Sequence, residues 1–265
     1  MGKKYIIKES PSTIVISEGD KIVKTYKEQR DFKRDSDVYS ALKNAGVSTD
    51  FIVLPIEERC QKGKSSLVFP NKGVTLSAFF KNNEYLSVNE TDRIILMTIW
   101  CLIHLNEKGF AHIDVKEDNF VISQSLNVRM IDAGFISGKD PWNPEMLTIW
   151  AKTDYCSPEI REMYRKLYHN EKVARHITID MKKRNTSSVF RYLNTSANTL
   201  ASDLYLAGSM FHRILTANHH VNPSTKLFLI ALRSTHASDR IDAINSAFNL
   251  CVTPTEDKNA VEKTQ

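Results

Sequence analysis

Asp114, Lys116 and Asn119 stand in the run Phe110-Ala111-His112-Ile113-Asp114-Val115-Lys116-Glu117-Asp118-Asn119. An aspartate, a lysine two residues on and an asparagine five on suit phosphoryl transfer from a nucleoside triphosphate. The carboxylate can orient an attacking hydroxyl, the ammonium can meet the γ-phosphate, and the amide oxygen can ligate Mg²⁺. Thirteen residues after Asn119 comes Asp132-Ala133-Gly134, behind the expected strand Asn127-Val128-Arg129-Met130-Ile131. A carboxylate at a strand end, followed by small residues, can reach a metal that bridges two phosphates.

Such side chains need rigid elements to hold them. Tyr5 to Ile7, Thr13 to Ile16 and Lys21 to Tyr26 are short β-branched runs. Ser10-Pro11-Ser12 and Glu18-Gly19-Asp20 separate them as turns, which predicts a three-stranded meander. Asp31 to Asn44 has helical spacing, with Val38, Leu42 and Ala45 on one side, and stops at Asn44-Ala45-Gly46. Phe51 to Leu54 and Ser66 to Phe69 read as two more strands, completing a five-stranded sheet with one helix. Pro70-Asn71-Lys72-Gly73 then breaks the pattern. A strongly periodic helix is expected from Asn89 to Lys108, capped by Asn89 or Thr91. Helices dominate from Pro158 onward, and the polar tail from Thr253 predicts a frayed end.

The 265 residues, 42% hydrophobic and 25% charged, are ordinary for a globular chain that can bury a substantial core. A net charge of +5 is too small to imply nucleic acid without a concentrated patch; the local cluster Lys182-Lys183-Arg184 reads as a solvated surface. The cysteines at 60, 101, 156 and 251 contain no C-x-x-C pair, so reduced thiols in a cytoplasmic setting are expected. Met1 to Ile6 lacks an apolar signal core, and Ile6 replaces the Ser or Thr of a myristoylation signal. No apolar run reaches membrane-spanning length.

The run around Asp114 resembles the catalytic loop of eukaryotic-type protein kinases, with Ile113 where most have Arg. Asp132-Ala133-Gly134 resembles their Asp-Phe-Gly with Ala133 for the aromatic, and Ser157-Pro158-Glu159 resembles their Ala-Pro-Glu. Ser202-Asp203-Leu204 and Ser238-Asp239-Arg240 resemble two later motifs, and Ile22-Val23-Lys24 the strand that carries the phosphate-binding Lys. The resemblance spans roughly residues 5 to 250.

It implies an α+β, bilobal fold. A small lobe, 1–69, would hold a five-stranded antiparallel sheet and one helix. A hinge, 70–73, would join it to a larger, mainly helical lobe, 74–252, with an insertion at 161–200 and the tail 253–265. Asp114 and Lys116 would then be catalytic, and Asn119 and Asp132 would hold Mg²⁺ or Mn²⁺. Lys24, its helix partner Asp35, Phe69 and Asn71 would bind ATP. His112, Glu159, Asp203 and Arg240 would be structural, with Glu159 paired to Arg240 and Asp203 accepting backbone hydrogen bonds from the catalytic loop.

Two departures stand out. Asp35 is one methylene shorter than the family's Glu, which predicts a looser ion pair or one formed only on closure. Glu9-Ser10-Pro11-Ser12-Thr13 has no glycine where the family has G-x-G-x-x-G, and Pro11 lacks a donor. Lys116 favours Ser/Thr acceptors, and Ile113 removes the Arg that usually meets a phosphorylated activation loop. The implied function is protein Ser/Thr phosphorylation without loop phosphorylation. A pseudokinase scaffold, or a kinase-fold enzyme with a non-protein acceptor or nucleotidyl transfer, are the alternatives. The implied partner is a protein substrate, with no nucleic acid and no membrane, and the oligomeric state open. The size and the glycine-free loop resemble kinases of intracellular pathogens or large DNA viruses, which would make the partner a host protein in a host cytoplasm.

Overall fold

The computed structural model describes residues 4–61, 63–83, 85–132, 157, 158, 161, 196–215 and 219–252. The β-branched runs at the start form β1 (Lys4–Glu9), β2 (Thr13–Glu18) and β3 (Lys21–Tyr26), the last two joined by a turn at Gly19 with φ 69°. Helix α1 (Gln29–Asn44) follows and ends at Ala45, where Gly46 takes a left-handed conformation. Then come β4 (Glu57–Gln61) and β5 (Lys64–Pro70). The five strands form one antiparallel sheet in the order β1-β2-β3-β5-β4. β3 lies at its centre, with Lys24 opposite Val15 on one neighbour and Leu67 on the other.

The fourth strand differs from the expectation. Phe51 to Leu54 is not in this sheet; Glu57–Gln61 takes the place at its edge. The reason is burial. Ile52 and Val53 are fully enclosed, and this stretch runs parallel to Met130, with Val53 N–H to the Met130 carbonyl at 2.9 Å and Met130 N–H to the Phe51 carbonyl at 2.8 Å. The true edge, Glu57-Glu58-Arg59-Cys60-Gln61, is charged, so no apolar alternation announces it.

Beyond Pro70 the chain forms β6 (Val74–Thr75), α2 (Leu76–Asn82) and α3 (Val88–Glu107). The start of α3 is also corrected. Ser87 is its cap, accepting from Glu90 N–H while Glu90 returns a bond to Ser87 N–H at 2.9 Å, a capping box that Asn89 and Thr91 do not form. A short 3₁₀ turn (Glu117–Asn119) leads into β7 (Phe120–Ile122), which pairs with β8 (Val128–Met130) and with β6. Later come α4 (Ser196–Ile214), α5 (Pro223–Leu232) and α6 (Ala237–Val252).

The core runs through these elements without a break. Ile95, Leu102 and Leu105 of α3, Phe120 and Phe211 are fully buried, at ~1.5–3 kcal/mol for each such side chain. Leu42 and Leu67 belong to the same cluster, so the sheet and α1 are tied to the helices. Among the described residues no helix is long and apolar enough to cross a membrane, and no three His, Cys, Asp or Glu side chains cluster to hold a metal.

Candidate active site

Helix α3 ends at Glu107, and two residues on Gly109, with φ 83°, turns the chain into the loop that carries Asp114. Along this loop Ile113 has φ 70°, a conformation that β-branched residues avoid. Two hydrogen bonds impose it. Asp203 on α4, buried at 1% exposure, accepts from the backbone N–H of His112 at 2.8 Å and of Ile113 at 2.7 Å. Burial pushes the Asp203 carboxyl up to about 7, against the pull of these two donors. The neighbouring Ser202 hydroxyl meets that of Ser157 in the same buried region.

His112 is buried with its ring stacked on Phe120, centroids 5.8 Å apart and planes 20° from parallel. Burial holds its imidazole below the usual range, opposed by the carboxylates of Asp114 and Asp132. Its place in this buried stack is that of a packing side chain.

Asp114, its side chain 17% exposed, is gathered by its neighbours on this loop. Lys116 Nζ donates to Asp114 Oδ2 at 2.5 Å. Asn119 Nδ2 donates to the same oxygen and to the Asp114 carbonyl, each at 2.8 Å. With Nδ2 so engaged, Oδ1 is the atom Asn119 has left for a cation. The Asn119 carbonyl accepts Ile131 N–H at 2.8 Å, so the end of β8 is tied to the loop just before Asp132, whose φ is 61°.

Asp132 then meets Lys24. The Lys24 ammonium contacts Asp132 Oδ1 at 2.8 Å and Asp35 Oδ2 at 2.9 Å. Burial alone would lower its pKa; the carboxylates of Asp132 and Asp35 overcome that and hold it well above the ordinary lysine value. The pair with Asp35 is short, where the missing methylene predicts a looser one or one formed only on closure. Asp35 is 1% exposed and has two further donors, Tyr26 Oη at 2.8 Å and Arg34 Nη2 at 3.1 Å. Sequence reasoning passed over Tyr26. Its signal was the two-residue spacing from Lys24 on one strand, which puts both on the same face.

The β1–β2 turn is self-contained. Ser10 N–H goes to the Thr13 carbonyl at 2.9 Å, Thr13 N–H to Ser10 Oγ at 3.0 Å, and Pro11 has none. Two of the donors that a glycine-rich loop would turn toward phosphate are therefore used inside the turn. Phe69 is buried on β5 opposite Ile22. The Asn71 side chain accepts Gly73 N–H at 3.1 Å, and its N–H reaches the Asp20 carbonyl at 2.7 Å. Arg240 is fully buried; its Nη1 donates to the Ser234 carbonyl and its guanidinium lies 5.6 Å from the Tyr205 ring centroid. Burial lowers its pKa to about 10. Glu159, Ala133 and nearly all of 161–200 lie outside the described residues, as does the Glu159–Arg240 pair.

The donor set at Asn119 and Asp132 fits Mg²⁺. That ion takes hard oxygens and is commonly held by one or two protein oxygens, with phosphate oxygens and water completing the shell. An amide oxygen and a carboxylate joined by the Ile131–Asn119 bond supply such a partial set.

No family model matches the chain. It is similar to two known proteins over part of its length. Over 101 residues, 37% of this chain, it is 28% identical to a probable CTD kinase subunit alpha homolog of Encephalitozoon cuniculi. Over 171 residues, 63% of this chain, it is 26% identical to a probable serine/threonine-protein kinase PknB of Bifidobacterium longum. The matches span 29% and 20% of those proteins. The likeness is low and partial, and both relatives are kinases by name.

Proposed function

We propose that this chain is a divergent protein kinase that transfers the γ-phosphoryl group of ATP to Ser or Thr hydroxyls of a protein. One observation carries the reading: Lys24 Nζ joins Asp132, 108 positions away in sequence, and Asp132 follows a residue bonded to Asn119, which itself holds Asp114. Four side chains of the right chemistry thus converge from three separate stretches of the chain. The two kinase relatives support the reaction class, and Lys116 beside Asp114 supports the acceptor class.

In this reading Asp114 accepts a hydrogen bond from the acceptor hydroxyl and aims its oxygen at the γ-phosphorus. Lys116, on the same carboxylate oxygen, offsets charge on the transferring group. Lys24 steadies the α- and β-phosphates, with Asp35 behind it. Asn119 Oδ1 and Asp132 would hold Mg²⁺, which when bound neutralises phosphate charge. Positioning and electrostatics supply most of such acceleration. Because Ile113 stands where an Arg would meet a phosphorylated activation loop, activity without that modification is part of the proposal. So are a small lobe 1–69, a hinge 70–73 with Phe69 and Asn71 beside the nucleotide, a protein partner, and a cytoplasmic setting.

The test is transfer of labelled phosphate from ATP with Mg²⁺ or Mn²⁺, comparing the wild type with Asp114→Ala. Labelling of the chain or of a generic protein substrate, lost in the variant, upholds the reading; equal labelling in both refutes it. The self-contained β1–β2 turn favours a second reading, a pseudokinase scaffold. It predicts neither transfer nor a thermal shift with Mg·ATP.

A further inference from the structure

Tyr26 and Lys24 both point from β3 toward α1. The Tyr26 ring is 3% exposed and packs edge-on against Phe32, with centroids 5.6 Å apart. Lys24 Nζ lies 5.4 Å from the Tyr26 ring centroid. The Tyr26 hydroxyl donates at 2.8 Å to Asp35 Oδ2, the oxygen that Lys24 meets at 2.9 Å. Arg34 holds the other oxygen, Oδ1, through Nη2 at 3.1 Å and Nε at 3.3 Å.

The terminal torsion of an aspartate is soft and roughly two-fold, so a lone carboxylate would swing. With one oxygen bound to a phenol and the other to a guanidinium, its plane is set independently of Lys24. A side chain one methylene shorter than glutamate can then present a fixed acceptor. Burial, with the Asp35 carboxylate beside it, holds the Tyr26 phenol far above its ordinary range, so it remains a donor throughout neutral pH.

We propose that Tyr26 is a positioning residue for Lys24: its hydroxyl sets the Asp35 carboxylate, and that carboxylate aims the Lys24 ammonium. The role in phosphate binding rests on the kinase reading; the coupling of Tyr26 to Lys24 through Asp35 does not.

Tyr26→Phe isolates the hydroxyl, because the ring and its contact with Phe32 remain. Two readouts separate the layers. The first is the rate of Lys24 acetylation by acetic anhydride in the native protein, read by peptide mass spectrometry, which needs no catalysis. The second is the split between KM for Mg·ATP and kcat. In Tyr26→Phe, Lys24 should acetylate about tenfold faster and KM should rise about tenfold with kcat less affected, the scale of one hydrogen bond to a charged group. Tyr26→Phe/Asp35→Glu should recover most of both, since the extra methylene fills the space left by the hydroxyl and carries the carboxylate to Lys24. Wild-type acetylation in Tyr26→Phe overturns the proposal, as does a loss that follows melting temperature alone and is not recovered in the double variant. Faster acetylation in a protein that transfers no phosphate upholds the coupling and removes the kinase reading.

Discussion

The Asp203 carboxylate holds Ile113 in a left-handed backbone conformation: Oδ1 takes the Ile113 N–H at 2.7 Å, and Ile113 has φ 70°. For a side chain with a Cβ that conformation costs roughly 1–2 kcal/mol. The strain persists because a buried helix supplies a fixed double acceptor, and the turn it holds leads into Asp114 beside Lys116 and Asn119.

Removing that acceptor should release the loop. Asp203→Ala leaves the N–H groups of His112 and Ile113 buried without the carboxylate, at roughly 1–3 kcal/mol each. Chemical denaturation should show a loss of that order, and Ile113 should relax from φ 70°. Unchanged stability would mean the two bonds contribute little.

Asp203 also sets a pH dependence. Its carboxyl titrates at about 7 in the fold, against just under 4 in an unfolded chain. Between those values the folded state holds a proton that the unfolded state has lost. This contribution is therefore complete below about pH 4 and is lost as pH rises through about 7, on the order of 4 kcal/mol. Asp203→Asn cannot titrate, so the stability of the wild type relative to this variant should fall from pH 5 to pH 8. A constant difference in denaturation free energy over that range would contradict it.

Nucleotide binding should depend on Lys24 more than on the β1–β2 turn, whose Ser10 and Thr13 N–H groups are already bonded. Lys24→Met is expected to abolish the thermal shift with Mg·ATP that the kinase proposal predicts. Ser12→Ala should leave it nearly intact. The reverse pattern would assign phosphate recognition to the turn.

Gly73 lies two residues after Asn71 with φ 135°, and a Cβ there would stand 2.0 Å from the Ile122 carbonyl oxygen. That oxygen belongs to β7, so neither side can yield cheaply. Gly73→Ala should cost well over the ~1–2 kcal/mol expected from φ alone. Gly19→Ala is the control, since φ is 69° but no atom lies within 4 Å of the added methyl. Equal losses in the two variants, measured by thermal melting, would deny the clash.

Cys101 and Cys60 should differ in reactivity. Burial pushes the Cys101 thiol up to about 12, and its Sγ is close to the Val128 carbonyl, whereas Cys60 is exposed. Iodoacetamide at pH 8 should modify Cys60 in minutes and leave Cys101 untouched until the protein unfolds.

The local order of elements was legible in the sequence because each has a local cause. The β-branched runs of β2 and β3, the helical period of α1 and α3 and the glycine after α1 act through neighbours a few residues away. The Asp114, Lys116 and Asn119 spacing is likewise local: all three lie within one loop and bond to one another there.

Pairing across the chain was not legible. Phe51 to Leu54 reads as a sheet strand by composition, yet lies beside Met130; charged Glu57–Gln61 is the strand, because an edge needs no apolar face. Ser87 rather than Asn89 or Thr91 caps α3, a choice decided by which backbone first turns helical. The hydroxyl of Tyr26 on Asp35, the left-handed Ile113 under Asp203, and Lys24 between Asp35 and Asp132 depend on groups brought together only by packing. The sequence by itself determined which chemical groups are available and the local frames that carry them. The tertiary structure decided which groups meet, because hydrogen bonds and ion pairs act over about 3 Å and residues distant in the chain come that close only when the core closes.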